Sequence, residues 1–233
     1  MLLVGVLLPK AAKMEEKKSS DKEFSELFIK TGRIQFLIMG LIITGFIIFG
    51  KTFIQILFGE EYTNSYYIAC ILMIPVTIPL IQNVGLNIIQ AKNKYRFRTI
   101  VFFFIAIGNI LLSIPLAKWM GGIGSALATS IFLIIGQGII MNIYYCKKIH
   151  INILEFWKQI LKMSIPILVV FLIGIFVYQY VLSKNLIALL FEMVVYAIIY
   201  MLIVSKLSMN EYERKLALCP IQKLSNKLKK EEN

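Results

Sequence analysis

The residues YTNSYYIACILMIPVTIPLIQNVGLNIIQAKNKYRFRT, positions 62–99, join a long apolar run to a short basic segment. From Tyr62 to Ala91 there are 30 residues without an Asp, Glu, Lys or Arg. At about 1.5 Å rise per residue, a helix of that length exceeds the roughly 30 Å hydrocarbon core of a bilayer. The basic segment then places four Lys or Arg residues at alternate positions from 92 to 98, with aromatic residues between them. The pattern predicts a membrane-spanning helix that ends at a charged turn.

The composition of the whole chain agrees with this prediction. Of its 233 residues 58% are apolar and 16% are charged, against about 45–50% and about 25% in ordinary soluble domains. A net charge of +12 and a basic segment interleaved with aromatics would suggest nucleic-acid binding in a polar domain. In an integral membrane protein the same surplus indicates cytoplasmic loops rich in Lys and Arg. We therefore expect no nucleic-acid partner.

Runs without charged residues occur six times along the chain, with one interruption at Glu192 in the last. A bilayer leaves exposed backbone groups without water, and the runs lack the alternation of a barrel strand, so we expect α-helices. The sequence predicts an all-α integral membrane protein with six transmembrane helices. Their approximate bounds are 34–58, 64–90, 99–117, 120–145, 163–183 and 185–205.

The positive charges alternate between the segments that flank these spans. In chain order the segments carry 7, 1, 4, 1, 4, 1 and 7 Lys or Arg residues, which accounts for all 25. Cytoplasmic segments carry the excess of positive charge in multi-pass membrane proteins. The count therefore predicts that both termini are cytoplasmic, an N-in/C-in topology.

The segments outside the six-helix domain, residues 34–205, are organised as well. Residues 1–9 are interpreted as the end of a preceding helix whose outer part is missing, so the chain is expected to be a fragment. Residues 10–33 are interpreted as a cytoplasmic loop with a surface helix carrying Phe24, Leu27 and Phe28. Residues 206–233 form a basic cytoplasmic tail that either contacts anionic lipid or is solvated.

Four stretches carry a resemblance to one family: VGVLLPKAAK (4–13), FIQILFGEEYTNSYYIACILMIP (53–75), NIIQAKNKYRFRT (87–99) and LLSIPLAKWMGGIGSALATS (111–130). In order and spacing they resemble the polysaccharide transporters of the multidrug/oligosaccharidyl-lipid/polysaccharide exporter superfamily, which include O-antigen and lipid-linked oligosaccharide flippases. The resemblance covers residues 1 to about 148. The last two spans match the family's last two helices only in number and placement.

The resemblance implies the C-terminal half, one lobe, of a flippase of about fourteen helices with its substrate site between two lobes. Such a protein moves lipid-linked oligosaccharide or polysaccharide precursor units across the bacterial cytoplasmic membrane by alternating access. The implied partners are that substrate, membrane lipids, and a missing N-terminal lobe or a second copy of the chain. The sequence departs from the family because it lacks the first lobe. A non-transporting scaffold or remnant, a multidrug exporter of the same superfamily and a polytopic membrane transferase stay open as alternatives.

Candidate substrate-pathway residues are polar side chains inside the predicted spans. Asn83, Asn87 and Gln90 fall at i, i+4 and i+7, which is one face of a helix. Gln137 lies in the fourth span. These amides are candidates for binding sugar or pyrophosphate groups, while the alternative is that they form hydrogen bonds between helices.

Glu192 is the acidic residue that falls inside a predicted span. An ionisable group at membrane depth is a candidate for function, so Glu192 is a candidate for proton or sodium coupling. No other cofactor is expected.

Residues for enzyme chemistry are sparse. His150 is the one histidine, and outside the terminal segments Glu60 and Glu61 form the one acidic pair, interpreted as a turn at the outer surface. A metal cluster or a transferase site needs several Asp, Glu or His residues close together. We therefore expect neither a catalytic nor a metal site.

Overall fold

The computed structural model describes residues 2–181, 185–210 and 213–214. In these ranges every regular element is helical and none is a strand. The α-helices are α1 (Leu2–Glu16), α2 (Asp21–Phe58), α3 (Thr63–Ile81), α4 (Asn83–Ala91), α5 (Arg96–Met120), α6 (Gly122–Leu133), α7 (Met141–Lys148), α8 (Ile153–Val181) and α9 (Leu186–Leu207). A short 3-10 turn (Glu60–Tyr62) precedes α3, and a π-helical segment (Ile134–Ile140) joins α6 to α7.

Six helical stretches of the described chain are long and apolar enough to cross a membrane. They are α2, the stretch Glu60–Ala91 that holds α3 and α4, α5, the stretch Gly122–Lys148 that holds α6, the π-helical segment and α7, then α8 and α9. The predicted all-α chain with six helices suited to a membrane is thereby confirmed. The chain has the character of a multi-pass membrane protein.

The helices extend beyond the apolar runs at the charged ends. Helix α2 begins at Asp21 rather than near residue 34, because Ser20 and Glu23 form a capping box there. Phe24 and Phe28, expected on a surface helix, are fully buried in the bundle. Helix α8 likewise begins at Ile153, ten residues before the expected span. Charged residues mark where a helix leaves the hydrocarbon, and they do not end the helix itself.

Helix α1 continues past the expected boundary at residue 9. It runs through Pro9 to Glu16 and packs against α4, with Leu7 and Ala11 buried. The tail predicted at 206–233 falls mainly outside the described residues, which resume only at 213–214 after Asn210. No structural statement applies to its basic residues beyond Arg214.

The spans form a row with α2 near its centre. Helix α5 packs on α6, α6 on α3, α3 on α2, and α2 on both α8 and α9. One core cluster lies where α1, α2, α4, α7 and α8 meet, and includes Phe28, Ile88 and Phe156. A second cluster joins α2, α8 and α9, and includes Val170 and Tyr200.

The first cluster lies at what we call the basic end of the bundle, formed by residues 17–25, 92–98 and 147–159. Four contacts define it. Nζ of Lys92 lies 3.2 Å from Oδ1 of Asp21, and Nζ of Lys94 donates to the Lys148 carbonyl at 3.1 Å. The Tyr144 hydroxyl donates to the Lys94 carbonyl at 2.9 Å, and the backbone N–H of Asn152 donates to Oγ of Ser25 at 3.0 Å. Three segments rich in positive charge thus meet at one end.

Candidate functional site

The second span is interrupted before its last nine residues, which form α4. Helix α3 ends at Ile81, and Gln82 separates it from α4. Pro75 and Pro79 lie inside α3 and remove two backbone N–H donors from the turns that come before the break. When the side-chain amide of Gln35 in α2 is assigned the orientation that suits its neighbours, its nitrogen faces the break and donates to the carbonyls of Leu80 at 3.0 Å and Ile81 at 3.3 Å. A polar side chain of the first span therefore satisfies backbone groups that the break exposes.

The fourth span has its own irregularity, the π-helical segment Ile134–Ile140. Such segments are rare in proteins and occur frequently at functional sites. Two glycines inside the segment allow neighbours to approach: Gly136 lies against Ile105 of α5, and Gly138 lies against Ile78 of α3. The irregular part of the fourth span thus packs beside the second span.

A buried hydrogen bond joins the two irregular regions. Nε2 of Gln82, at the break, donates to Oδ1 of Asn142 at 2.8 Å, just after the π-helical segment. Nδ2 of Asn142 donates to the Gly138 carbonyl. Gln82 and Asn142 are 3% and 9% exposed. We call the region formed by the break, the π-helical segment and this hydrogen bond the polar seam.

Gln137 lies in the polar seam and is 4% exposed. Its side-chain nitrogen Nε2 has no hydrogen-bond partner within the described part of the chain. A buried amide donor without a partner carries a desolvation cost of about 1–3 kcal/mol. Gln137 is therefore the predicted site residue with an unused hydrogen-bond donor in an irregular, buried region.

The other three predicted amides lie on α4 and differ in environment. Asn87 is buried, and its Nδ2 reaches the Asn83 carbonyl at 3.5 Å, the limit for a hydrogen bond. Asn83 is half-buried and Gln90 is exposed. No hydrogen bond among the described residues joins these three to Gln137. The structure thus places them beside the polar seam, on the side toward the basic end.

Sequence reasoning missed Gln35, Gln82 and Asn142. Five residues at about 100° each place Asn142 about 140° around the helix from Gln137, so a helical face drawn from Gln137 does not include it. Gln82 is adjacent to Asn83 in the chain and would therefore lie about 100° away from the face of Asn83 on a regular helix. The available signal was the cluster of amides itself within two otherwise apolar spans, at 82–90 and 137–142.

A second polar feature, also missed, lies at the basic end. Nε of Arg33 lies 2.6 Å from Oε1 of Glu213, and Nη2 lies 2.9 Å from Oε2. Arg33 also donates to Oε1 of Gln159 at 2.7 Å and to the Ser208 carbonyl at 3.0 Å. Both charged side chains are about 95% buried, at 6% and 4% exposure. We call this the Arg33–Glu213 clasp; it ties α2 and α8 to the chain that follows α9.

Glu192, the ion-coupling candidate, lies elsewhere, on α9 among the residues that line a groove between α8 and α9. Its Oε2 atom is buried and has no hydrogen-bond partner among the residues described. The described chain holds no group of three or more His, Cys, Asp or Glu side chains placed to bind a metal ion.

Comparison of the chain with family models, curated proteins and solved structures found no match.

Proposed function

We propose that the chain is one lobe of a membrane flippase and forms part of a pathway for lipid-linked oligosaccharide or polysaccharide precursor units. The observation that carries the proposal is the polar seam, where a broken helix and a π-helical segment meet beside Gln137, whose Nε2 has no partner among the described residues. The oligosaccharide substrate and the bacterial cytoplasmic membrane come from the sequence resemblance. The geometry supports the transport pathway.

Discontinuous helices at membrane depth support transport for a physical reason. Hydrocarbon offers no hydrogen bonds, so irregular backbone is tolerated where it is buried in protein or lines a cavity. Substrate sites of many transporters lie where such helices meet near the bilayer midplane. The break at Gln82 and the π-helical segment both lie well inside their spans.

The chemistry of the polar seam suits a glycan or diphosphate group. A side-chain amide carries two donors and an acceptor, which match hydroxyl and phosphate oxygens. If hydrogen bonding between helices were the only role of these amides, each would have a protein partner. Gln82 and Asn142 meet that description, whereas Nε2 of Gln137 does not.

The test compares two substitutions of the same kind in neighbouring positions. Gln137→Leu removes a donor without a protein partner, so we expect an unchanged or higher thermal midpoint in detergent. Gln82→Leu removes one partner of a buried hydrogen bond, so we expect a lower midpoint. For each variant, binding of a fluorescent polyprenyl-diphosphate oligosaccharide is measured in detergent and its flipping is measured in proteoliposomes.

We expect Gln137→Leu to weaken binding about tenfold, which corresponds to about 1.4 kcal/mol. Flipping should slow in proportion. If the wild-type chain does not bind the probe, or Gln137→Leu binds it as well as wild type does, the polar seam is not a substrate pathway.

Ion coupling through Glu192 is part of the same proposal, with a proton or sodium ion as the coupling ion. Glu192→Gln keeps the shape of the side chain and removes its charge. Transport by this variant should no longer respond to an imposed proton or sodium gradient. An undiminished response would rule out the coupling role.

A further inference from the structure

The groove between α8 and α9 is a well-formed cavity that the polar seam does not include. Its volume is about 360 Å³, within the range of pockets that hold small molecules. Phe49 of α2 lines it together with residues of α8 and α9. Gly174 allows close packing beside it, since a Cβ at that position would lie 2.8 Å from the Tyr196 ring.

The lining of this groove is almost entirely apolar. Apart from Glu192 and the hydroxyls of Tyr178 and Tyr196, the lining side chains within the described residues are aliphatic, aromatic or glycine, and none of these is basic. The Tyr178 hydroxyl donates to Oγ1 of Thr52 at 3.0 Å, so it is already bonded. The groove therefore combines one carboxyl group with a large apolar surface.

Glu192 has no protein partner for its buried oxygen within the described residues. A carboxylate in an apolar medium is costly unless a positive charge or hydrogen-bond donors face it. A positively charged ligand in the groove would supply that charge.

The shape of the site indicates which kind of cation it suits. Ca²⁺ and Mg²⁺ need several oxygen ligands, whereas the lining offers one carboxyl group and two phenols. Phe49 forms edge contacts with the rings of Tyr178 at 4.9 Å and Tyr196 at 5.7 Å between centroids. Aromatic faces attract organic cations, and the apolar walls favour a ligand with apolar surface of its own.

We propose that the groove between α8 and α9 binds a lipophilic organic cation, with its charge facing the Glu192 carboxylate and its apolar body against α8 and α9. Access is lateral, because Val177 and Phe191 at the rim are 51% and 70% exposed. Such a cation, dissolved in the bilayer, enters from the side. The proposal goes beyond the flippase function and shares one residue with it, since Glu192 is also the ion-coupling candidate.

The test uses two ions of nearly the same size and shape and opposite charge, tetraphenylphosphonium and tetraphenylborate. Binding of each to the purified full chain in detergent is measured by equilibrium dialysis. We expect the phosphonium to bind at least about tenfold more tightly than the borate, since only the cation matches the carboxylate. Glu192→Gln should abolish that difference, and Glu192→Lys should reverse it.

Two control variants distinguish phosphonium binding in the groove from a general effect of negative charge on binding. Glu60→Gln removes an exposed carboxylate of the 3-10 turn and should leave phosphonium binding unchanged. Ala188→Phe fills the groove while keeping Glu192, and should weaken phosphonium binding about tenfold or more. Thermal midpoints establish that each variant is folded.

Equal binding of the two ions to the wild-type chain would overturn the proposal, as would phosphonium binding that survives both Glu192→Gln and Ala188→Phe. The second result would mean that the phosphonium binds to the detergent or elsewhere on the chain, and not in the groove. Loss of flipping in Gln137→Leu with phosphonium binding intact would show that the two sites are separate.

Discussion

Arg33 and Glu213 hold two opposite charges away from water. The Arg33 guanidinium group makes two hydrogen bonds to the Glu213 carboxylate, one to Gln159 and one to the Ser208 carbonyl. The backbone N–H of Asn210 also donates to Oε2 of Glu213, at 2.9 Å. Each charge is costly to bury, and only a nearly complete set of hydrogen bonds offsets that cost. Bidentate pairing of Arg with a carboxylate provides such a geometry.

Breaking the Arg33–Glu213 clasp should therefore destabilise the protein strongly. We expect Arg33→Gln or Glu213→Gln to lower the free energy of unfolding by about 3–5 kcal/mol, because one buried charge loses its partner. Thermal unfolding in detergent measures the effect.

The exposed pair Lys30–Glu26 provides the control for that measurement. Its Nζ to Oε2 distance is 3.3 Å and its side chains are 61% and 52% exposed. Lys30→Gln should cost less than about 1 kcal/mol. If Arg33→Gln and Lys30→Gln had similar small effects, the clasp would not contribute to stability.

Among the helical elements, α5 and α6 form a hairpin in which the two backbones approach closely. Gly121 has φ of +60°, a conformation that suits glycine, and it turns the chain between the two helices. Three residues later, a Cβ on Gly124 would collide with the carbonyl oxygen of Leu116 in α5. Small residues of this kind let membrane helices approach closely.

Gly124→Ala should thus destabilise the hairpin, because a backbone carbonyl cannot move aside as a side chain can. We expect a loss of about 1–3 kcal/mol, the usual cost of overpacking. Gly45 of α2 offers a matched helical control, since a Cβ there would lie 3.9 Å from the Tyr196 ring.

Gly45→Ala should be neutral or stabilising by about 0.5–1 kcal/mol, owing to the helix preference of alanine. Both variants are compared by thermal unfolding in detergent. Equal midpoints for the two would show that α5 and α6 do not depend on this contact.

For the molecule as a whole, the position of the basic end is the feature from which its orientation in the membrane is predicted. The structure brings the segments 17–25, 92–98 and 147–159 to one end, as a bundle with alternating connections requires. Helix α5 runs away from this end, and its 25 residues at about 1.5 Å rise give it a length of about 38 Å. Residues flanking α5 therefore lie near opposite faces of a bilayer.

Two exposed aromatic positions at these ends report the orientation without altering any charge. Tyr95 and Trp119 are 50% and 83% exposed. In a variant whose native cysteines are replaced by serine, Tyr95→Cys should react with a membrane-impermeant maleimide only after cells are permeabilised. Trp119→Cys should react in intact cells. The reverse result would place the basic end outside and contradict the N-in/C-in prediction.

The sequence by itself determined that the chain is helical, that six of its stretches suit a membrane, and approximately where those stretches lie. These properties depend on the length of apolar runs and on the positions of charges, which are local quantities. The helix ends were less well determined. Capping at Ser20 and burial of Phe24 and Phe28 extend α2 past the last charged residues.

Within the candidate site, the sequence pointed to Gln137 and to the face of α4, and it missed their neighbours. Gln82 and Asn142 are 60 residues apart in the chain, and their pairing depends on the break in one helix and the π-helical segment in another. A regular helical wheel contains neither irregularity. The sequence shows which residues are polar, but it does not show how each helix is rotated about its axis and therefore which polar side chains face one another.

Only the tertiary structure decided which polar groups are satisfied. The clasp joins residues 180 positions apart, and the groove at Glu192 is bounded by three helices drawn from both ends of the chain. Hydrogen bonding and desolvation act between atoms a few ångströms apart, so they depend on how the helices pack. Apolar length places a helix in the membrane, but its neighbours determine whether a buried Arg, Gln or Glu has a partner there.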